Sequence, residues 1–588
     1  MYTVTIKPMN IEVNVPENTT LLEAEIKAGL TPDAPCGGKG TCGKCLIDIE
    51  DETGVLHTKK ACCYVVDRDM TVWIKSVGEH KILETGFSRF FELMSPVTHA
   101  QINVEKGCIA DASSDWDRIK KAIKNSMNID IISPNIDISS DTATYLSDTD
   151  YKPIAFVCGN ELLDLRSSDK NLAAAVDIGT TTIVLYLLDA DSGETLTVKS
   201  ILNPQTEYGA DVIMRANYAI ENGVEYLSEA IRKALNDLLL LATAQIGADT
   251  DDVYNITVVG NTCMHHLLLG INPQSLVVSP YHPAISEGLK LRASDFGIKI
   301  NKCGILFVLP CIAGFVGADT SGVMLSCELD KADDLTLAID IGTNGELVMG
   351  DRDRLVACST AAGPAFEGAK LACGMRGVDG AIDHVSLTDD GLFFSTIGNI
   401  EPKGICGSGL MDLTAALLEA GIIDETGRIV DEDEIETEIG VKLYSHVRDI
   451  DGLVSFVISE NSDSVYISQK DIREVQLAKG AMAAGIKLML KTLGKKTEDI
   501  KRVLIAGAFG NYMSPESACR IGLIPPELIS RIIAVGNAAG EGAKIAALSV
   551  SELKRVETMA RNTEFIELAS DPDFQDCFVE ELMFPEIS

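Results

Sequence analysis

Two stretches decide the fold: Ala174-Ala175-Val176-Asp177-Ile178-Gly179-Thr180-Thr181-Thr182-Ile183-Val184-Leu185-Tyr186 and Leu337-Ala338-Ile339-Asp340-Ile341-Gly342-Thr343-Asn344-Gly345-Glu346-Leu347-Val348-Met349. Each reads as an apolar strand, a tight turn and a second apolar strand. The two Asp-Ile-Gly-Thr motifs lie 163 positions apart, a domain-sized interval. One such motif is weak evidence. Two of them, each between β-rich arms, predict a duplicated fold with a cleft between its halves. The chemistry of the turns suits a nucleoside triphosphate. Gly and Thr in a hairpin turn point backbone N–H groups and hydroxyls at phosphate oxygens. The candidates are Gly179, Thr180, Thr181, Gly342, Thr343, Asn344 and Gly345. Asp177 and Asp340 end their strands and can hold a hydrated Mg²⁺, which keeps several waters and one or two carboxylates. They and Glu346, placed to orient water or metal, are the catalytic candidates. The motif is not a Walker loop: no G-x-x-x-x-G-K-[ST] is present, and it joins two strands instead of opening a helix.

Downstream, Val503-Leu504-Ile505-Ala506-Gly507-Ala508-Phe509-Gly510-Asn511 reads as a buried strand running into a glycine turn. In a two-lobed ATPase such a turn lays backbone against the adenine, which makes Gly507 and Gly510 candidates. A second glycine-rich turn, Val535 to Ala543, leads into a helix. This order of loops resembles the superfamily of acetate and sugar kinases, heat-shock chaperone ATPases and actin, over roughly residues 171–545. The resemblance implies an RNase H-type duplicated ATPase with one lobe over 171–335 and a second, with its tail, over 336–588.

Upstream, residues 1–15 alternate in hairpin fashion, with Tyr2, Val4 and Ile6, a turn at Met9-Asn10, then Ile11, Val13 and Val15. Thr20 and Glu23 form a capping box for a helix carrying Leu21, Leu22, Ala24 and Ala28, which Gly29 can close. A hairpin followed by a helix opens a β-grasp domain. Then come Cys36, Cys42, Cys45 and the pair Cys62-Cys63, spaced C-x5-C-x2-C-x16-C. The glycines between the first three let a loop curl around an iron–sulfur cluster and turn N–H groups towards its sulfurs. Plant-type ferredoxins use C-x4-C-x2-C, so the first gap is one residue longer here. A four-cysteine zinc site is the alternative, but zinc ribbons pair two C-x2-C knuckles and only one is present. Neighbouring residues of a strand point to opposite faces, so one of Cys62 and Cys63 reaches the cluster. Likeness to ferredoxins, where Ala-Cys is the usual context, favours Cys62. The ligand set for a [2Fe–2S] cluster is then Cys36, Cys42, Cys45 and Cys62. The domain is expected over 1–78, ending after a strand at Met70–Ile74.

Residues 79–170 are expected to form a linker and a small middle domain. Trp116, Ile119, Ala122, Ile123 and Met127 share one face of a helix within Ser113–Ile131, and Asp148–Lys170 reads as short strands and turns. Cys108 and Cys158 stand alone and read as incidental or buried thiols.

A ferredoxin joined to an actin-like ATPase resembles the reductive activators of corrinoid enzymes. The likeness extends to Gly260–Gly270, Gly314–Asp319, Ala361–Gly368, Gly404–Gly409 and Gln469–Gly480. It implies a multidomain α+β and α/β chain that uses ATP with Mg²⁺ and a [2Fe–2S] cluster to return Co(II) to Co(I). It also implies a corrinoid protein partner, from a methyltransferase system or the acetyl-CoA pathway, an electron donor such as ferredoxin or flavodoxin, and room for a homodimer. The extra C-terminal cysteine clusters of some activators are missing, since only Cys519 and Cys577 lie past residue 500. Three rivals stand beside this reading: a small-molecule kinase with an accessory ferredoxin, an activator of another radical or dehydratase enzyme, and an ATP-gated electron carrier.

Other motifs have plainer readings. His265-His266 diverge on a helix and suit packing better than metal binding. Ser468–Leu493 is a helix boxed by Ser468 and Asp471, with Val475, Ala478, Met482, Ile486 and Met489 as its core stripe, while Gln469, Lys470 and Arg473 face nucleotide or water. Asp431–Glu438 is an acidic loop. The tail beyond Arg561 has eight acidic residues and no Lys or Arg, and is a partner surface or a solvated terminus.

The chain has 588 residues, enough for three or four domains. With 50 basic and 87 acidic residues its formal charge is −37, which disfavours nucleic acid and anionic membranes. Sixteen cysteines are too sparse for a disulfide scaffold. No signal peptide and no membrane-length apolar run are evident, so a cytoplasmic, reducing setting is expected.

Overall fold

The computed structural model describes residues 1–7, 11–16, 19–28, 45–50, 56–74, 89–133, 135–342, 344–368, 370–459 and 462–586. The alternating N-terminal residues form strands Tyr2–Lys7 and Ile11–Val15, paired antiparallel. Their sheet continues through Met70–Ile74, Leu46–Glu50 and Leu56–Lys60, with Met70–Ile74 parallel to the first strand. Helix Leu21–Lys27 packs Leu21 and Ala24 into this sheet's core with Val4, Ile6 and Val72. The capping box forms: Thr20 N donates to Glu23 Oε2 at 2.7 Å and Glu23 N donates to Thr20 Oγ1 at 3.3 Å. This is the expected β-grasp. Gly29 lies outside the described residues.

The middle segment folds as a three-stranded antiparallel sheet, Val97–Gln101, Ile154–Cys158 and Glu161–Arg166, under helix Asp115–Met127. Ile119, Ala122 and Ile123 are buried beneath the helix, and Trp116 and Met127 pack at its edge. The sheet is joined to the first lobe. Phe156 stacks on Tyr254 at 4.1 Å, and Asp164 accepts from Tyr254 Oη at 3.1 Å and Asn301 Nδ2 at 2.7 Å. Cys158 is buried and Cys108 exposed.

The duplication is visible in topology. In the first lobe, strands Leu172–Ile178, Thr182–Asp189, Thr195–Leu202, Val253–Gly260 and Ile305–Val308 lie in the order third, second, first, fourth, fifth, and Leu289–Arg292 extends the edge. In the second lobe, Thr336–Ile341, Gly345–Gly350, Leu355–Thr360, Arg502–Ala506 and Ile532–Gly536 repeat that order, and Glu564–Phe565 extends the other edge. The first three strands of each are antiparallel, and the fourth runs parallel to the first. The first strand of each lobe is buried on both faces, which is why each reads as an unbroken apolar run. Between the sheets lie helices Ala318–Ser326 and Ala538–Leu548, and one buried cluster runs from Ala173 and Ala175 through Val323 and Ala543 to Ala338 and Leu504. The helices touch through small residues: a Cβ on Gly322 would lie 2.7 Å from the Ala539 carbonyl oxygen.

Helix Gln469–Leu493 carries the predicted stripe, with Val475, Ala478, Met482, Ile486 and Met489 all buried, and the Ser468–Asp471 box closes its start. Three expectations change. The turn after strand Arg502–Ala506 is confined to Gly507, at φ +85°, and the chain continues from it at once as a helix to Tyr512. Cys62 and Cys63 sit on a single 3₁₀ turn, Ala61–Cys63, so the opposite-face argument for strands does not apply to them. The acidic tail folds back on the long helix. Lys491 pairs with Asp573, Lys487 with Glu581, and Lys479 donates to the Met583 carbonyl, so the helix supplies the cations that the tail lacks. Asp431–Glu434 is an exposed turn, as expected. No described helix is long and apolar enough to cross a membrane.

Candidate functional site

Both Asp-Ile-Gly-Thr turns open onto one cleft of 340 Å³ between the lobes. Strand register places the aspartates equivalently. Asp177 sits between Val184 and Val259, and Asp340 between Glu346 and Ala506, each one residue before its strand ends. Gly179, Thr180, Thr181, Gly342 and Asn344 line the cleft with them, whereas Thr343 lies outside the described residues. Gly507 also lines it, at φ +85°, with a Cβ there only 2.7 Å from Asp340 Oδ1; only glycine brings backbone so close to the carboxylate. Gly345 and Gly510 are placed elsewhere. A Cβ on Gly345 would lie 2.7 Å from Thr360 Oγ1, and one on Gly510 would collide with Ile505, so both serve packing of strand and helix.

Six carboxylates line this cleft, and four of them act on one another's charge: Asp177, Asp319, Asp340 and Glu346. Burial raises Asp177 to about 7, against a 3.0 Å hydrogen bond from Asn537 Nδ2 and with Asp319 adding to the rise. Burial, then the charges of Asp319 and Asp177, raise Asp340 to about 7. Burial raises Asp319 to about 6, opposed by the Thr320 N–H at 2.7 Å. Burial, Asp319 and Asp340 hold Glu346 well above its ordinary value. Four crowded acids cannot all ionise in a dry cleft without a cation. Among the described residues no three donors converge into a ready-made metal cage. The set therefore suits Mg²⁺, which binds through one or two carboxylates and keeps its waters.

Three asparagines, none of them chosen from the sequence, hold the first turn. Asn203 Nδ2 donates to the Gly179 carbonyl at 2.8 Å. Asn261 caps helix Thr262–Leu269 by accepting from Met264 N, and its Nδ2 donates to Thr180 Oγ1 at 3.1 Å. Asn537 caps helix Ala538–Leu548 by accepting from Gly540 N, and its Nδ2 serves Asp177 and Tyr186 Oη. A signal for two of these was present: Val259-Gly260-Asn261 and Val535-Gly536-Asn537 are the same three residues, each following the buried end of a strand. Asp319 had a weaker signal, as the first acid of a helix after a glycine pair.

Several of the quoted segments meet here, through Asn261, Asp319, Phe366, Glu367, Cys406 and Ser408. The start of the long helix does not. Gln469 Nε2 donates to the Gly427 carbonyl at 2.6 Å and Arg473 turns to Gln476, so neither serves nucleotide. His265 and His266 are buried. Burial, with His266 beside it, pushes His265 down to about 3. His266 uses both nitrogens, on the Thr262 carbonyl and the Ala284 N–H, in packing contacts as expected.

The second site is in the N-terminal domain. Cys45 Sγ and Cys62 Sγ lie 3.2 Å apart, while Cys63 is exposed. Burial and the neighbouring thiols Cys45 and Cys63 push the Cys62 thiol above its ordinary range. Thiols packed this closely without a disulfide suit a shared metal centre. Cys36 and Cys42 lie outside the described residues.

Fold and site together define an actin-like ATPase carrying a β-grasp ferredoxin. Comparison with known proteins agrees part by part. A 2Fe-2S iron-sulfur cluster binding domain matches residues 4–67, the RACo middle region matches 172–332, and the C-terminal domain of RACo, the ASKHA domain, matches 334–588. The chain is 33% identical over 584 residues to the corrinoid activation enzyme RamQ of Eubacterium limosum, covering 97% of each chain. It is 26% identical over 445 residues to the [Co(II) methylated amine-specific corrinoid protein] reductase of Methanosarcina barkeri, covering 70% of this chain and 76% of the other. The solved structure of a reductive activator for corrinoid,iron-sulfur protein superposes with a TM-score of 0.74 at 32% identity, covering 100% of this chain and 99% of that one. This chain belongs to the family of reductive activators of corrinoid proteins.

Proposed function

We propose that this chain is an ATP-dependent reductive activator that passes one electron to the Co(II) of a corrinoid protein and so regenerates Co(I). One observation carries the reading: the relationship to a corrinoid activation enzyme covers 97% of the chain, taking in both the thiol site and the carboxylate cleft. The small-molecule kinase alternative explains the cleft and leaves the ferredoxin without a task.

In the cleft, the backbone N–H groups around Gly179 and Gly342 and the hydroxyls of Thr180 and Thr181 bind phosphate oxygens. Asp177 and Asp340 would hold Mg²⁺, which would supply positive charge to balance the phosphates and the crowded acids. Glu346 would orient the attacking water, and a neighbouring cleft carboxylate would take its proton. No protein group becomes phosphorylated. Cys36, Cys42, Cys45 and Cys62 hold the [2Fe–2S] cluster, which stores one electron. Reduction to Co(I) is uphill for an ordinary donor. Nucleotide binding and hydrolysis therefore favour one conformation of the complex over another.

The domains are taken as 1–78, 79–170, 171–335 and 336–588. The partner is a corrinoid protein of a methyltransferase system or of the acetyl-CoA pathway, and the donor a ferredoxin or flavodoxin. Homodimerisation is checked by sedimentation of the purified chain.

The test mixes reduced protein, ATP and a methylated amine-specific corrinoid protein in its Co(II) form without oxygen. Co(I) absorbance is expected to appear with ATP and to vanish in Asp340→Ala. The reading fails if neither this partner nor an acetyl-CoA-pathway corrinoid protein yields Co(I), or if Asp340→Ala performs as well as the parent.

A further inference from the structure

After the ferredoxin domain the described structure resumes at Arg89. Its first contact there is unexpected. Residues 89–94 do not meet the middle sheet first; they grip the two helices that lie between the ATPase lobes. Arg89 Nε donates to the Leu325 carbonyl at 3.2 Å, in the last turn of helix Ala318–Ser326. Its Nη2 pairs with Glu552 and its Nη1 lies 3.6 Å from Glu328. The Arg89 side chain is 6% exposed and that of Glu552 10%. Arg555 extends the network, 3.1 Å from Glu552 and 2.8 Å from Asp330. Phe91 packs against the core shared by both lobes. Met94 N then donates to the Leu548 carbonyl at 3.1 Å, at the end of helix Ala538–Leu548, and Val550 N donates back to Met94 at 2.9 Å.

The same two helices each carry a cleft residue at the other end. Asp319 stands in the first turn of one, and Asn537, the cap of the other, donates to Asp177. About 9 Å of helix separates Asp319 from Leu325, and about 15 Å separates Ala538 from Leu548. Between those ends the helices approach backbone to backbone at Gly322, Ala539 and Gly542. Packed helices of this kind slide by small shear steps. A step that repositions Asp319 and Asn537 around a nucleotide must displace the Leu325 and Leu548 carbonyls on which residues 89–94 are fastened.

From this juxtaposition we infer that Arg89 and Met94 form the coupling joint of the protein, transmitting the nucleotide state of the cleft to the tether of the ferredoxin domain. The inference rests on the activity proposed above. Arg89 is not among the residues that line the cleft; it is a positioning residue. Its loss leaves Glu552 still paired with Arg555.

Two measurements on the full-length, cluster-loaded protein test it. In the first, amide hydrogen exchange is compared without nucleotide and with a non-hydrolysable ATP analogue. The Met94 and Val550 amides are expected to change exchange rate at least about threefold, and equal rates would overturn the joint. In the second, Arg89→Ala and Arg89→Lys are compared with the parent for ATP hydrolysis and for Co(I) formed per ATP from the methylated amine-specific corrinoid protein. ATP hydrolysis should stay within about twofold while Co(I) per ATP falls at least about fivefold in Arg89→Ala and less in Arg89→Lys. An unchanged yield, or a yield that falls only in step with hydrolysis, overturns the inference. Failure of the parent to form any Co(I) would instead strike the proposed function, and the exchange measurement would still decide the joint.

Discussion

Asn261 uses both ends of its amide. Its oxygen accepts from Met264 N and its nitrogen donates to Thr180 Oγ1. A hydroxyl that accepts in this way keeps its own hydrogen available to donate, and Thr180 lines the cleft. Thr180→Val and Asn261→Ala should therefore each weaken ATP binding about three- to tenfold, near 1 kcal/mol for one hydrogen bond. The double variant should be little weaker than either single one. Strict additivity in that cycle, measured by titration calorimetry, would show that the two side chains act separately. In the ferredoxin domain, Cys62→Ser should lose iron and sulfide on analysis while Cys63→Ser retains them, because Cys62 faces Cys45 and Cys63 faces solvent. The opposite result would move the fourth ligand to Cys63. Residues fixed by local pattern were legible here: Asp177 and Asp340 follow from strand–turn–strand alternation. Asp319, Asn203 and Asn537 were not, because their reach into the cleft depends on where distant strands end.

Among the elements, the pair of helices between the lobes is the most exacting. A Cβ on Gly542 would collide with the Gly322 carbonyl oxygen, a backbone atom that cannot rotate away. Alanine normally improves a helix over glycine by about 0.5–1 kcal/mol. Here overpacking, at about 1–3 kcal/mol, outweighs that gain. Gly542→Ala should lower the apparent melting temperature, and a rise would show that the helices can part without cost. Elements with strong end signals were read correctly from the text alone, as with the boxed helix at Ser468 and the box at Thr20. Those without such signals were misread. Gly507 looks like a turn residue, yet the chain continues as helix because Ala506 is held in the sheet beside Asp340 and the following turn packs on Ile505. The tail looked solvated because its acids have no basic neighbours in sequence; Lys491 and Lys487 reach them only across the fold.

For the whole molecule, a charge of −37 sets the terms of association. A corrinoid protein that docks productively must offer a comparatively basic face, so steering should weaken as salt screens it. The association rate, followed by stopped flow, is expected to fall about tenfold between low salt and 0.5 M. A rate that rises with salt would mean that an apolar face, not charge, guides the encounter. By itself the sequence determined the class of each part: the β-grasp, the duplicated strand–turn–strand lobes, the cysteine spacing and the two aspartates. All of these rest on contacts between residues close in the chain, where strand alternation, capping and turn chemistry act directly. Only the tertiary structure decided which acids share one dry cleft, which asparagines orient its first turn, and where the ferredoxin tether is fastened. Those arrangements join residues such as Asp177 and Asn537, or Arg89 and Glu552, that are hundreds of positions apart. They arise from how two sheets and two helices bury their apolar faces together, a choice made by packing over the whole core and not by any local pattern.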